Sequence, residues 1–349
     1  MHSRDRRRHL PPPTAADLAQ DALDAADYDR CRRHVEQNAA GKVEGLFGPG
    51  SITWTLWREP ALLVAGVPAV MLQLGHPAIA TGIGRLSNFQ DDILGRARRT
   101  FISLYQLVFG DLDEALSASR RLHLLHRRVR GVIEDPGGPL DGQPFRANDQ
   151  ELLRWVGGTV SVLGRHVFER LVRPLTPSER VDWFREFVLI SAASGVLPEN
   201  QPRDIDALDA WFEAELGSGR LRLTPLGREV SQALFNTAYT RGPIDEIVCA
   251  GLMPPAWREL YGLRWGRSER VAFGGFAGAM RLYHRTQPVA LRAAPAWHQG
   301  CLRVALARGE RPSRIGHLVN AVDRRIDLPF SIQPIAEDVE EPDAVERVT

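Results

Sequence analysis

Three histidines, three arginines and one threonine are the residues of this 349-residue chain whose types and spacing admit chemistry. The first is His126, in the segment Asp111 to Glu134. At about 100° per residue, Ala115, Leu122, Val129 and Ile133 fall within roughly 60° of it. Arg121 and Arg128 take the opposite face. His126 therefore sits in the middle of the face expected to be buried. A buried neutral imidazole without a partner costs on the order of 1–3 kcal/mol, so something must satisfy it. Two readings are open. One is a core histidine bonded to a backbone carbonyl or a hydroxyl. The other is a ligand to a metal or haem iron, a role neutral imidazole fills often. His123, one turn earlier, and Arg130, one turn later, lie near the edges of the same face. Arg120, Arg121, Arg127 and Arg128 read as a solvated face. Nothing around them carries the aromatic interleaving or fold motif of a nucleic-acid binder.

The second group is Arg96, Arg99 and Thr100, after the acidic start Asp91-Asp92. Acidic residues suit a helix N-terminus. Arg96 and Thr100 are four apart and share a helix face, with Phe101, Leu104 and Val108 as its apolar neighbours. A guanidinium and a hydroxyl converging beside an apolar wall can orient dioxygen or a substrate oxygen. The plainer reading is a helix-start arginine paired with Asp91 or Asp92. The last candidate, His76, ends the apolar run Met71-Leu72-Gln73-Leu74-Gly75. Pro77 disfavours helix at His76, so a helix is expected to stop there. His76 then either bonds free carbonyls at that helix end or lines the same cavity as the others.

The elements that must carry these residues are helical. Apolar residues recur at helical spacing in segments 18–40, 60–75, 92–109, 111–134, 149–171, 177–193, 206–215, 226–240, 267–284 and 296–308. Loops are expected at Asp135-Pro136-Gly137-Gly138, at Pro198 to Pro202 and around Met253-Pro254-Pro255, and a short hairpin within 135–145. No strand-turn-helix alternation with a glycine-rich turn is present, which disfavours nicotinamide and P-loop folds. The class is all-α. Residues 1–14 read as a disordered arm, 15–335 as one large helical domain and 336–349 as an acidic tail. Lys and Arg number 44 against 43 Asp and Glu, a formal charge of +1, so no strong overall field draws in nucleic acid or anionic membrane. The apolar run from Ala61 to Leu74 is shorter than the roughly 18–20 residues of a membrane span and is broken by Pro68 and Gln73, so stable membrane insertion is not expected. Cys31, Cys249 and Cys301 form no paired framework, which with the absence of a secretory pattern at the start predicts a reducing, cytoplasmic location.

Taken in order, several segments resemble the MpaB / rubber oxygenase (latex-clearing protein) family. They are Trp57-Arg58-Glu59-Pro60, Leu72-Gln73-x-x-His76-Pro77, Phe89-x-x-Asp92 with Gly95-Arg96-x-x-x-Thr100 and Gly110, and His123-x-x-His126-Arg127-x-Val129-x-Gly131. Phe145-x-Ala147-x-Asp149, Leu153-x-Trp155-Val156 and Leu252-x-Pro254-x-x-Trp257-x-x-x-Tyr261-Gly262-Leu263 follow. The resemblance implies a globin-like helical bundle built around a b-type haem. It implies His126 as the axial iron ligand, Arg96 and Thr100 on the opposite side of the haem where dioxygen binds, and a hydrogen bond from the second nitrogen of His126 to a backbone carbonyl. His123, Arg130 and His76 become cofactor-contacting candidates, and Arg99 stands where the rubber oxygenases have lysine. Two departures matter: the family's proposed base falls near Ala80, and Gly157 stands where many relatives have histidine. The expected activity is a haem-dependent oxygenase or oxidase, taking dioxygen, a small apolar substrate and electrons from a donor. The alternatives are a non-catalytic haem or apolar-ligand carrier, and a non-haem metal enzyme using His123, His126 and an acid.

Overall fold

The computed structural model describes residues 15–86, 92–235, 243–326 and 328–332. The expected arm at 1–14, the tail at 336–349, Phe89, Asp91 and the end of the 226–240 helix lie outside the described residues. Within them the chain forms sixteen α-helices and a single two-stranded sheet, the all-α class expected.

The first helices run α1 (Ala15–Asn38), α2 (Ile52–Trp57), α3 (Gly66–Leu74) and α4 (Pro77–Leu86), with a 3-10 turn at Pro60–Ala65 leading into α3. Next come α5 (Ile93–Phe109) and α6 (Leu112–Arg127), the pair that carries Arg96 and His126. Each of that pair has its own start signal. Asp92 accepts the Gly95 N–H at 2.9 Å at the head of α5. Asp111 and Glu114 form a reciprocal capping box at the head of α6, at 2.8 and 2.9 Å, satisfying two N–H groups a helix start leaves open. The turn between them is wedged against residues 41–45. Gly45 has φ +76°, and a Cβ there would stand 2.1 Å from the Gly110 carbonyl oxygen, so only glycine fits.

The 111–134 helix expected from periodicity ends early, at Arg127. Arg130–Val132 becomes strand β1, antiparallel to β2 at Pro144–Arg146. The hairpin is real, but it begins before 135. Val129, Val132 and Ile133 are β-branched and Gly131 is a poor helix former, so this stretch is stabilised better by cross-strand pairing than by another helical turn. Val129 and Ile133 therefore do not share a helical face with His126.

The core forms where α3 meets α7 (Gln150–Leu171). Met71, Leu72 and Leu74 are buried there with Trp155, Val162, Leu163, Val167 and Phe168, each large side chain contributing roughly 1.5–3 kcal/mol. Among the polar residues buried there, Gln73 donates to Thr159 Oγ1 at 3.0 Å. Helix α8 (Pro177–Ala193) closes the far side, with Trp183 and Phe187 in the same core. Among the described residues no single helix is long and apolar enough to cross a membrane; only Pro60–Leu74 and Pro77–Leu86 together reach that length and composition, bent by 108°.

Candidate functional site

His126 occupies the last turn of α6. Its carbonyl accepts the Val129 N–H at 2.9 Å as the chain leaves the helix. Its ring Nδ1 is buried and meets no hydrogen-bond partner, so the expected bond from this ring to a backbone carbonyl is not made through Nδ1. Burial, with the positive fields of His123 and Arg96, pushes its pKa down to about 4. The imidazole is therefore neutral at pH 7 and keeps a lone pair to give.

Arg96 is half-buried on α5, close enough for its charge to act on His126. Burial is also what lowers its own pKa, with Arg99 adding to the effect. His123 and Arg96 are the members of the predicted set whose charges act on His126. The others fall elsewhere. Thr100, one turn beyond Arg96, is exposed. Arg99 is 66% exposed and pairs with Asp92 at 2.9 Å. Phe101 turns inward, against Gly66 and edge-on to Phe330 at 5.7 Å. It thus joins the apolar 60–74 segment to α5.

The His123 ring stacks on Tyr28 of α1 at 4.4 Å, and its Nδ1 lies 3.4 Å from Asn148 Nδ2. Together they line a polar cavity of about 100 Å³ with Asp24, Asp27 and Asp149. Arg130 pairs with Asp21 at 3.7 Å, and Arg146 binds Asp21 and Asp24 beside it, clamping the hairpin to α1. His76 is buried between α3 and α4, where its Nδ1 accepts the Ala78 N–H at 3.2 Å. Burial lowers its pKa, and the charges around it are Glu151, Arg220 and Asp135, not Arg96. His76 caps α4, rather than the end of α3. Among the described residues no three of His, Cys, Asp and Glu come together as a metal-binding group, so His123, His126 and an acid are not assembled into one. Ala80, where the family's proposed base falls by spacing, is fully buried in the largest core cluster.

Two charged clusters escaped the sequence reading. Glu59 is 1% exposed and holds Arg292 through 2.8 and 2.9 Å contacts, Arg58 at 3.1 Å and His284 Nδ1 at 2.9 Å. Its only signal was its place in Trp57-Arg58-Glu59-Pro60, which named no role. Arg165, buried in the middle of α7, had no signal at all.

With the geometry in place, comparison adds one finding. Residues 54–283 match the family described as ER-bound oxygenase mpaB/B'/Rubber oxygenase, catalytic domain. No curated protein and no solved structure matches the chain.

Proposed function

The chain belongs to the mpaB/rubber oxygenase family, an oxygenase family, and we propose that it is a haem b-dependent oxygenase of a small apolar metabolite in which His126 is the protein ligand to iron. The observation that carries this reading is the His126 ring. It is neutral, and its Nδ1 is buried with no partner in the protein. Such a nitrogen costs free energy unless a ligand satisfies it. The donor chemistry suits a haem, since one neutral imidazole suffices on the protein side, and the exposed Leu94 near the start of α5 and Leu125 near the end of α6 offer apolar surface.

When bound, a b-type haem supplies the electron transfer to dioxygen that side chains lack. The chain's own contributions are local. His126 gives a lone pair and stays unprotonated down to about pH 4. Arg96 places a positive charge beside the site, able to orient a polar oxygen of substrate or product. Phe101 and the 60–74 segment exclude water, which favours an apolar substrate over a charged one. Thr100, exposed one turn further along α5, is assigned to the mouth of the site. We propose a cytoplasmic location for the chain, whose three cysteines are free thiols.

An absorption spectrum of the purified chain, oxidised and reduced, tests the reading. A haem Soret band is expected, and His126→Ala should abolish it or shift it while far-ultraviolet circular dichroism stays helical. An unchanged haem spectrum in His126→Ala, or a protein supplied with haem that binds none, overturns the assignment. Oxygen consumption with apolar candidate substrates separates an oxygenase from a carrier, which would bind haem without turnover.

A further inference from the structure

Arg165 is 1% exposed. Its Nη2 donates to Asp209 at 2.5 Å, and its guanidinium carbon lies 4.8 Å from the Trp183 ring. Its Nε and Nη1 are buried and have no partner. A guanidinium carries five N–H donors and no acceptor, and each one left buried and unbonded is costly. Asp209 is shared with Arg180 at 3.7 Å, and Arg180 also meets Glu169 at 3.8 Å, so two carboxylates face two arginines, yet neither reaches the Nε or Nη1 of Arg165.

Beside Arg165 lies a cavity of about 20 Å³ between α2, α7 and α8. It exceeds the roughly 10–15 Å³ that one water needs, so it has room for a species of one or two heavy atoms. The walls decide which. They include Arg165, whose Nε and Nη1 are unbonded, and the hydroxyl residues Thr53 and Ser161, set among Leu56, Trp57, Leu62 and Phe187. Water must donate as well as accept, and these walls supply few acceptors. A halide accepts only, carries the opposite charge, and tolerates aromatic ring edges, which are the positive part of the ring quadrupole.

We propose that this cavity binds a monovalent anion of halide size, chloride by class, held by Nε and Nη1 of Arg165 and by Ser161. It is separate from His126, which stands on α6, and it satisfies the two N–H positions that Asp209 leaves open on an arginine fixed in the core. The test uses the full chain in sodium chloride, sodium bromide and sodium gluconate at equal ionic strength. Gluconate is too large for the cavity. A saturable rise in melting temperature is expected in chloride and bromide over gluconate. Crystals soaked in bromide should show an anomalous peak within hydrogen-bond distance of Arg165. Ser161→Ala should keep the fold and weaken half-saturation about ten-fold, the scale of one hydrogen bond to a charged group. Arg165→Met should abolish the halide effect; if that variant does not fold, the bromide peak and the Ser161→Ala shift still decide. Equal melting temperatures in the three salts, an ordered water alone at Arg165, or bromide only at surface arginines as an adventitious ion would overturn the proposal.

Discussion

At the scale of single residues, the decisive property is the protonation state of His126. Burial moves its pKa from 6.5 to about 4. The folded chain therefore refuses a proton that the unfolded chain accepts between those values, and stability falls as pH drops from about 6.5 to 4. A shift of that size is worth at most about 3 kcal/mol. His166 is pushed to about 4 in the same direction, so the loss is shared. His126→Gln should flatten part of that slope in urea melts taken from pH 7 to 4; an identical slope in the variant would show that the imidazole is not shielded. Arg96→Met removes one of the positive fields acting on the ring and should raise the His126 pKa, read by the NMR titration of its ring protons. What was legible of this pair was its residue types and the helices that carry it; half of the face assigned to His126 was not, since Val129 and Ile133 lie beyond the end of α6. The partners of His123 and Arg130 were not. Both residues are claimed by Tyr28 and Asp21 on α1, about a hundred positions away, and no local spacing announces such a contact.

At the scale of elements, the helices were readable wherever a long amphipathic pattern met a cap, as at the heads of α5 and α6. Short or glycine-diluted helices left no such trace. Helix α4 carries Gly82 and Gly84, and α2 is only six residues long. The overrun of α6 past Arg127 has the same root, since periodicity alone cannot tell a helix from a strand whose apolar residues happen to keep the phase. Several family motifs also prove to be joints of the fold. Tyr261 donates to the Met71 carbonyl at 2.7 Å, and the Trp257 ring lies over Gly75. A Cβ on Gly75 would stand 1.8 Å from that ring. Gly75→Ala should therefore cost about 1–3 kcal/mol or more by overpacking, measured as a lower melting temperature. Trp257→Ala in the same chain should absorb part of that cost, and purely additive losses would rule out the clash. Asp111→Ala is the milder counterpart. It removes half the capping box that starts α6 and should cost about 1 kcal/mol, leaving the haem spectrum of a loaded protein in place because His126 lies at the other end of the helix.

At the scale of the whole molecule, the family match stops at residue 283, yet the chain beyond it is tied to the front of the fold. Ala294 donates to the Arg58 carbonyl at 3.0 Å, and Arg303 donates to the carbonyls of Phe109 and Val43 at 2.5 and 3.1 Å. The helix Pro295–Ala307 comes so close to α2 that a Cβ on Gly300 would stand 2.8 Å from Trp54. Glu59 joins the two regions most strongly. Burial alone would raise its pKa, but hydrogen bonds from His284 and Arg292 outweigh that and hold it below the ordinary glutamate value. The stabilisation is then present above the unfolded glutamate pKa and is lost as pH falls through the lower folded value. Glu59→Gln keeps the shape and removes the charge, leaving Arg292, itself nearly buried, without its carboxylate. Breaking a buried pair from one side costs about 3–5 kcal/mol. Thermal unfolding of Glu59→Gln should show a loss of that order. The double variant Glu59→Gln/Arg292→Met should lose less than the sum of the two single changes, because no unpaired charge remains. A Glu59→Gln protein as stable as the parent would mean that the region beyond 283 is held by its apolar contacts alone, and that this cluster does not brace the helices that position Arg96 and His126.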